Sequence, residues 1–499
     1  MSVLAGVGVA LGVLVASGMA ALAAISNSPI AVGLVAGLLM GALLLSVPRV
    51  ALWACVIGAL LVSGFISLFF PFLNKATWLF SMLGFFLAVA ALIQLIASPK
   101  LRADTPGFLW VGLIFIVFAL ATAPLAGSSA LELLAGAKRY LQFWGLMFAG
   151  AWLLKSIVDY ERIVRFLMVL ALLQLPLALY QRIALVPLRE GLGRGVVPID
   201  VVSGTFEASL LAGGNSSAMV LFLTIALAFV LSAWREQQLS GFKCALLSAL
   251  LVLPMGLGET KVVVVLLPLM LLVVFGRYVR RAPMASLLIL LTGLACTALL
   301  FWLYGSYFGK TGLTLAQRLQ ATIEYNFGDV GYYGSFSLNR TTALKYWWAN
   351  HGAANPLELF FGHGLGTSYA APTSLVQGHV ARQHGFIAIG FTAASSILWD
   401  LGLIGLVLLL VMLAMAWRTA GRLLASAPSG WARSAIVAAR VSVLLFAVML
   451  FYTDSVLNAL SVQALLMICL GGVAAAARHW PTPDRPAARL VPARLRTPA

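Results

Sequence analysis

Apolar runs of about 20 residues follow one another along almost the whole chain, and that repetition limits what it can fold into more than any motif does. They fall at roughly 2–24, 30–47, 51–73, 77–98, 107–125, 138–154, 164–183, 217–234, 243–257, 260–276, 284–303, 393–416, 434–453 and 456–477. Most are long enough to cross about 30 Å of hydrocarbon as a helix. Inside lipid the backbone must satisfy its own hydrogen bonds, so the runs read as helices rather than open strands. The expected fold is therefore an all-α polytopic membrane protein with about 14 transmembrane helices. Composition agrees, since 62% hydrophobic against 9% charged residues leaves too little polar surface for a water-soluble globule.

An even number of spans puts both termini on one side, and the basic residues choose it. With cytoplasmic termini, the inner segments hold 20 of the 32 Lys and Arg and 5 of the 15 acids, a net charge of +15. The outer segments are left at +2. Lys and Arg are retained on the cytoplasmic side, so this split orients the chain. It also accounts for most of the +17 without nucleic acid as a partner. Four domains follow. Residues 1–303 carry the first eleven spans and an outer loop at 184–216. Residues 304–392 form a large extracytoplasmic loop between the eleventh and twelfth spans. Residues 393–477 carry the last three spans, and 478–499 form a disordered, Pro- and Arg-rich cytoplasmic tail. Cys55, Cys244, Cys296 and Cys469 lie in or beside apolar runs with no CxxC spacing and read as buried hydrophobes. Met19-Ala-Ala-Leu-Ala-Ala24 resembles a signal-peptidase site, yet no basic stretch precedes it, so an uncleaved first span is expected.

The segment from 305 to 391 is the one long polar stretch. It carries Arg318, Arg340, Lys345, Arg382, His351, His363, His379 and His384, interleaved with Tyr346, Trp347, Trp348, Tyr369 and other tyrosines. Further basic residues stay outside despite the charge bias: Lys138 and Arg139 at the sixth span, Arg182, Arg189 and Arg194 by the 184–216 loop, and Lys261 in Gly256-Leu-Gly-Glu259-Thr-Lys261. Ionisable groups at membrane depth normally face a cavity or a partner. For Lys261 a pair with Glu259 or a snorkelling side chain is the competing reading. Taken as a set, these cations could hold an anionic group such as a diphosphate. In the 184–216 loop, Tyr180-Gln181 is followed by Ser203-Gly204-Thr205-Phe206 and Gly213-Gly-Asn215-Ser216, where small residues permit either tight packing or close approach of N–H groups to a ligand. Gly362-His-Gly-Leu-Gly366 follows no strand and is no dinucleotide fingerprint. His379 and His384 are candidate proton acceptors, with structural hydrogen bonding as the alternative. No HExxH or Cys/His pairing appears, so neither metal nor cofactor is expected.

These stretches resemble the O-antigen ligase and polysaccharide polymerase superfamily of bacterial inner-membrane glycosyltransferases. The resemblance rests on Tyr180-Gln181 with Ser203-Gly-Thr-Phe206 and Asn215, Glu259-Thr-Lys261, and Arg340 followed by Trp347 and Trp348. Asn355-Pro356, Phe361-Gly-His-Gly-Leu-Gly366 and Trp399-Asp400-Leu-Gly402-Leu-Ile-Gly405 complete it, over roughly residues 170–410. It implies an inner-membrane protein with an outer-face site for an undecaprenyl-diphosphate-linked oligosaccharide donor. Loop arginines would hold the diphosphate, and a histidine would activate the hydroxyl of a glycan or glycolipid acceptor. Where the family has His-Asn before its acidic helix motif, this chain has Phe391-Thr392. The histidine therefore does not carry over, and His379 and His384 are the nearest alternatives, with Asp400 behind them. Arg340, Arg318, Lys138, Arg139, Arg194, Lys261, Trp347 and Trp348 are the expected substrate contacts. The competing classes are a glycan transporter or flippase and a non-catalytic component of polysaccharide export machinery. Against the transporter stand the single long loop and the lack of matched helix breaks in the sequence.

Overall fold

The computed structural model describes residues 47–154, 156–193, 197–276, 315–329, 338–352, 355–370, 376–385, 387–427 and 430–480, with scattered positions at 284–295. It is all-helical, with no strand among the described residues. Eight helices there are long and apolar enough to cross a membrane: Pro48–Phe69, Pro71–Ala97, Gly107–Leu125, Ile157–Glu190, Ser216–Arg235, Ala393–Ser426, Trp431–Met449 and Leu460–His479. Gly241–Leu257 and Val263–Val274 are shorter apolar helices. The first two expected spans and most of the eleventh lie outside the described residues, as do 481–499. The helix Leu460–His479 continues to two residues beyond the last expected span, and the Arg478 guanidinium donates to the Ala151 carbonyl.

Leu460–His479 is the central helix. Its apolar stretch is 94% buried, against 28% for Ile157–Glu190 at the periphery. Small residues explain the position. A Cβ on Gly150 would stand 2.7 Å from the Gly471 Cα, so Trp144–Trp152 and Leu460–His479 meet backbone to backbone.

Two breaks shape the bundle, and neither was expected. The run at 138–154 is not one continuous helix but two, Ala130–Leu141 and Trp144–Trp152, parted at Gln142-Phe143. Gln463 of the central helix satisfies the opened backbone. Its Oε1 accepts from the Phe143 N–H at 2.9 Å, and its Nε2 donates to the Arg139 and Tyr140 carbonyls, each at 3.0 Å. The second break lies inside Ala393–Ser426, where Gly402 has φ 64°. The Trp399 and Asp400 carbonyls then accept from the His363 and Gly364 N–H groups, each at 2.9 Å. A Cβ on Gly402 would come 2.4 Å from the Phe360 carbonyl carbon, so only glycine lets the Phe361-Gly-His-Gly loop dock there. The two sequence motifs are thus two halves of one corner. Such breaks are tolerated at depth when neighbouring groups satisfy the freed backbone.

The large loop segment contributes Leu315–Phe327, Arg340–His351, Pro356–Phe361 and His379–Gln383. Asn339 caps the second of these. Its Oδ1 accepts from the Thr341 and Thr342 N–H groups at 3.0 and 2.8 Å, while the Thr342 hydroxyl accepts from the Asn339 N–H. Arg340, the first helical residue, is fixed by that cap.

Candidate functional site

A cavity of about 290 Å³ lies where the loop segment meets the ends of the last three long helices. It is lined by Arg139, Arg340, Ser368, Tyr369, Tyr452, Asp454 and Asn458, with Gly390, Phe391 and Thr453 among the rest. The Ala130–Leu141 helix delivers Arg139, which is only 7% exposed. The Arg139 Nε donates to the Asn458 Oδ1 and its Nη2 to the Ser396 hydroxyl at 2.9 Å. Its Nη1 is buried with no hydrogen-bond partner among the described residues. The Tyr369 ring lies 5.1 Å from the guanidinium carbon. From the other side, the Arg340 Nε donates to the Tyr452 carbonyl at 2.8 Å and its Nη1 to the Asn326 Oδ1 at 2.6 Å. Its guanidinium sits 3.9 Å from the Tyr452 ring centre. Two guanidinium groups from elements 200 residues apart in the chain thus converge on one space, with Asp454 as the carboxylate of its lining.

Asp454 accepts from the Asn458 amide, which in turn accepts from Arg139. Burial raises the Asp454 carboxyl above its ordinary value, with Arg139 and Asn458 pulling the other way. A polar chain continues beneath. The Ser455 hydroxyl donates to the Asn215 Oδ1 at 2.7 Å, the Asn215 amide to Glu207 at 3.4 Å, and the Ser461 N–H to Glu207 at 3.2 Å. Burial raises the Glu207 carboxyl as well, against Ser461 and the charge of Lys138.

Of the expected cations, Arg139 and Arg340 share the cavity. Lys138 does not line it; its ammonium lies 4.6 Å from the Trp78 ring centre, with Glu207 as the nearby charge. Glu259 pairs with Arg182 at 3.2 Å. Lys261 is exposed in the turn just before Val263–Val274 and does not line the cavity. Arg194 and the Arg318 side chain fall outside the described residues. Trp347 is buried and stacks on His351 with ring centres 5.3 Å apart, whereas Trp348 is 58% exposed.

None of the three candidate bases lines the cavity. The His379 backbone N–H donates to the Glu132 carboxylate at 2.6 Å, and its ring Nδ1 lies 3.2 Å from the same oxygen. The His384 Nδ1 pairs with the Tyr346 hydroxyl at 2.8 Å. Asp400 is fully buried and accepts from the Tyr140 hydroxyl at 2.8 Å, the Ser368 N–H at 2.7 Å and the Thr367 hydroxyl at 3.2 Å. It clamps the loop at the Gly402 corner. Burial lowers the His363 imidazole to about 4. In the 184–216 loop the packing reading holds for the backbone. The Ser203 and Gly204 N–H groups go to the Gln181 Oε1 at 3.0 and 2.7 Å, and the Thr205 N–H goes to the Gln174 Oε1 at 2.9 Å. Sequence reasoning missed Asp454 and Asn458. Their signal was the polar Thr453-Asp454-Ser455 interruption between the last two apolar runs.

A larger cavity of about 1220 Å³ lies at the opposite end of Ala393–Ser426, lined by Arg235, Arg418, Arg422, Arg433 and Arg440 beside apolar residues. Compared with models of known protein families and with curated protein sequences, the chain has no match.

Proposed function

We propose that this chain is an outer-leaflet glycosyltransferase of the O-antigen ligase and polymerase kind. It would transfer a lipid-diphosphate-linked oligosaccharide to a glycan or glycolipid hydroxyl. The convergence of Arg139 and Arg340 on one cavity beside Asp454 supports this reading. Two guanidinium groups match the charge and planar oxygen pairs of a diphosphate. The cavity volume of about 290 Å³ stands just below the range of about 300–1,000 Å³ usual for ligand sites. It suits the diphosphate and the first sugar while the lipid tail stays in the bilayer. No sugar nucleotide reaches the outer leaflet, so the lipid carrier is the activated donor.

In the step proposed, Asp454 takes the proton of the acceptor hydroxyl as its oxygen bonds to the anomeric carbon. The bond from that carbon to the diphosphate oxygen breaks, and the electron pair leaves with the diphosphate, which Arg139 and Arg340 stabilise. Asp454 replaces His379 and His384 as the proposed base because it lines the cavity and they do not. The test is product formation from a purified lipid-linked oligosaccharide and acceptor in nanodiscs. Wild-type protein should form the glycosidic bond, and Arg139→Ala and Arg340→Ala should not.

One observation favours a transporter instead: the Gln142-Phe143 break directly follows the helix that carries Arg139, and the Gly402 break lies in the helix whose Ser396 holds Arg139. Proteoliposomes separate the two readings. A transporter moves lipid-linked glycan between leaflets with its chain length unchanged.

A further inference from the structure

At the end of the Arg340–His351 helix away from Arg340, His351, His363 and Glu358 bring one donor atom each to within 4.8 Å of one another. We infer that these three residues bind a divalent transition ion of the zinc type, which braces the helix that carries Arg340. The geometry of the three ligands is independent of whichever reaction the cavity performs.

The histidine pair is arranged for this. The His351 Nδ1 lies 2.9 Å from the Trp347 carbonyl. A carbonyl can only accept, so Nδ1 carries the proton and Nε2 presents its lone pair. A backbone carbonyl on the second nitrogen is how metal-binding histidines are usually oriented. That lone pair faces the His363 Nε2 at 2.8 Å. Without an ion, His363 must donate its Nε2 proton to His351. With one, both nitrogens turn their lone pairs to the metal and the His363 proton sits on Nδ1. Tetrahedral ligands at about 2.0–2.1 Å from the ion stand about 3.3 Å apart. The two rings therefore need to open by roughly half an ångström, well within side-chain movement.

The site is also held rigidly. His351 is 2% exposed, between the Trp347 ring stacked at 5.3 Å and the Trp399 ring edge-on at 4.6 Å. His363 stacks on Trp399 at 5.9 Å and is tied by its backbone N–H to the Trp399 carbonyl. Glu358 comes from Pro356–Phe361, whose C-terminal turn docks at Gly402. Two imidazoles and one carboxylate suit zinc, whereas calcium and magnesium prefer all-oxygen shells. An ion here would join the C-terminal end of Arg340–His351 to the Asp400 corner, and so fix the position of Arg340 at the other end of that helix.

The test uses full-length protein purified through a histidine-free tag, stripped with chelator, then titrated with zinc chloride. Wild-type protein should bind one zinc per chain by elemental analysis and melt higher with zinc than without. Glu358→Gln should weaken zinc at least about tenfold, since even losing an outer partner of a ligand costs that much. His363→Gln should abolish binding, while His379→Gln and His384→Gln should bind as wild type. Should His363→Gln not fold, cobalt in the wild-type chain decides, because tetrahedral N/O ligation gives intense visible bands and octahedral surface binding gives weak ones. Failure of wild-type protein to take up zinc, equal uptake by Glu358→Gln, or weak octahedral cobalt bands would each overturn the site.

Discussion

Arg340 and Arg139 carry the proposed electrostatics, and they differ in a testable way. Arg340 holds its place with Nε and Nη1, in contact with the Tyr452 ring, so Arg340→Ala should abolish product while leaving membrane insertion intact. Arg340→Lys should rescue poorly, because a point charge cannot replace a planar fork lying against a ring. Near-normal product from Arg340→Ala would remove it from the site. Asp454 is the proposed base, and proton acceptance contributes about 10²–10⁴ in rate. Asp454→Asn should fall by that much, whereas His379→Ala and His384→Ala should fall only slightly. A base works deprotonated, and burial raises this carboxyl. Activity should therefore fall as pH drops through a value above the ordinary carboxylate range. Asp454→Asn should lose that acid limb, and its persistence would assign the base elsewhere. Arg340 was legible in the sequence because it sits in a polar segment with aromatic neighbours. Asp454 was not, because only the fold brings residue 454 to residue 139.

At the scale of elements, the two breaks do the positioning. Gln463 supplies one acceptor and two donor contacts to the opened backbone around Gln142-Phe143. Leaving buried groups unsatisfied costs about 1–3 kcal/mol each. Gln463→Leu should therefore lower the melting temperature in detergent clearly, and an unchanged melting curve would show that water or lipid replaces it. The Gly402 corner adds a steric argument. Gly402→Ala puts a Cβ on the Phe360 carbonyl at a positive φ, so it should unseat the Phe361-Gly-His-Gly loop and destabilise the protein. Apolar periodicity reveals neither break. The stretch 138–154 is apolar enough to read as one span, and what divides it is a glutamine more than 300 residues away.

For the whole molecule the open prediction is orientation. The charge split puts the segment around Arg340–His351 outside and the 235–243 turn inside. A cysteine at Leu357, which is 75% exposed, should react with an impermeant thiol reagent in intact spheroplasts. One at Gln238, exposed in the Arg235–Lys243 turn, should react only after lysis. The reverse pattern would move the cavity to the cytoplasm, where no outer-leaflet transfer could occur.

The sequence by itself determined the solvent and the class of fold, because a chain with so few charges can satisfy its backbone in lipid only as helices. Its motifs also marked Arg139, Arg340, Gln181, Asp400 and the glycine loop as unusual. What each of them does was decided by tertiary structure. Gln181 holds the backbone of the Ser203-Gly204 turn, Asp400 clamps a corner, and His379 is tied to Glu132. Of the expected cations among the described residues, Arg139 and Arg340 reach a shared cavity, opposite an aspartate from a turn between the last two runs. The physical reason is range. Hydropathy and spacing report on neighbours within a few turns of helix, whereas Gln181, Asp400, His379 and Arg139 find partners from about 20 to more than 300 residues away.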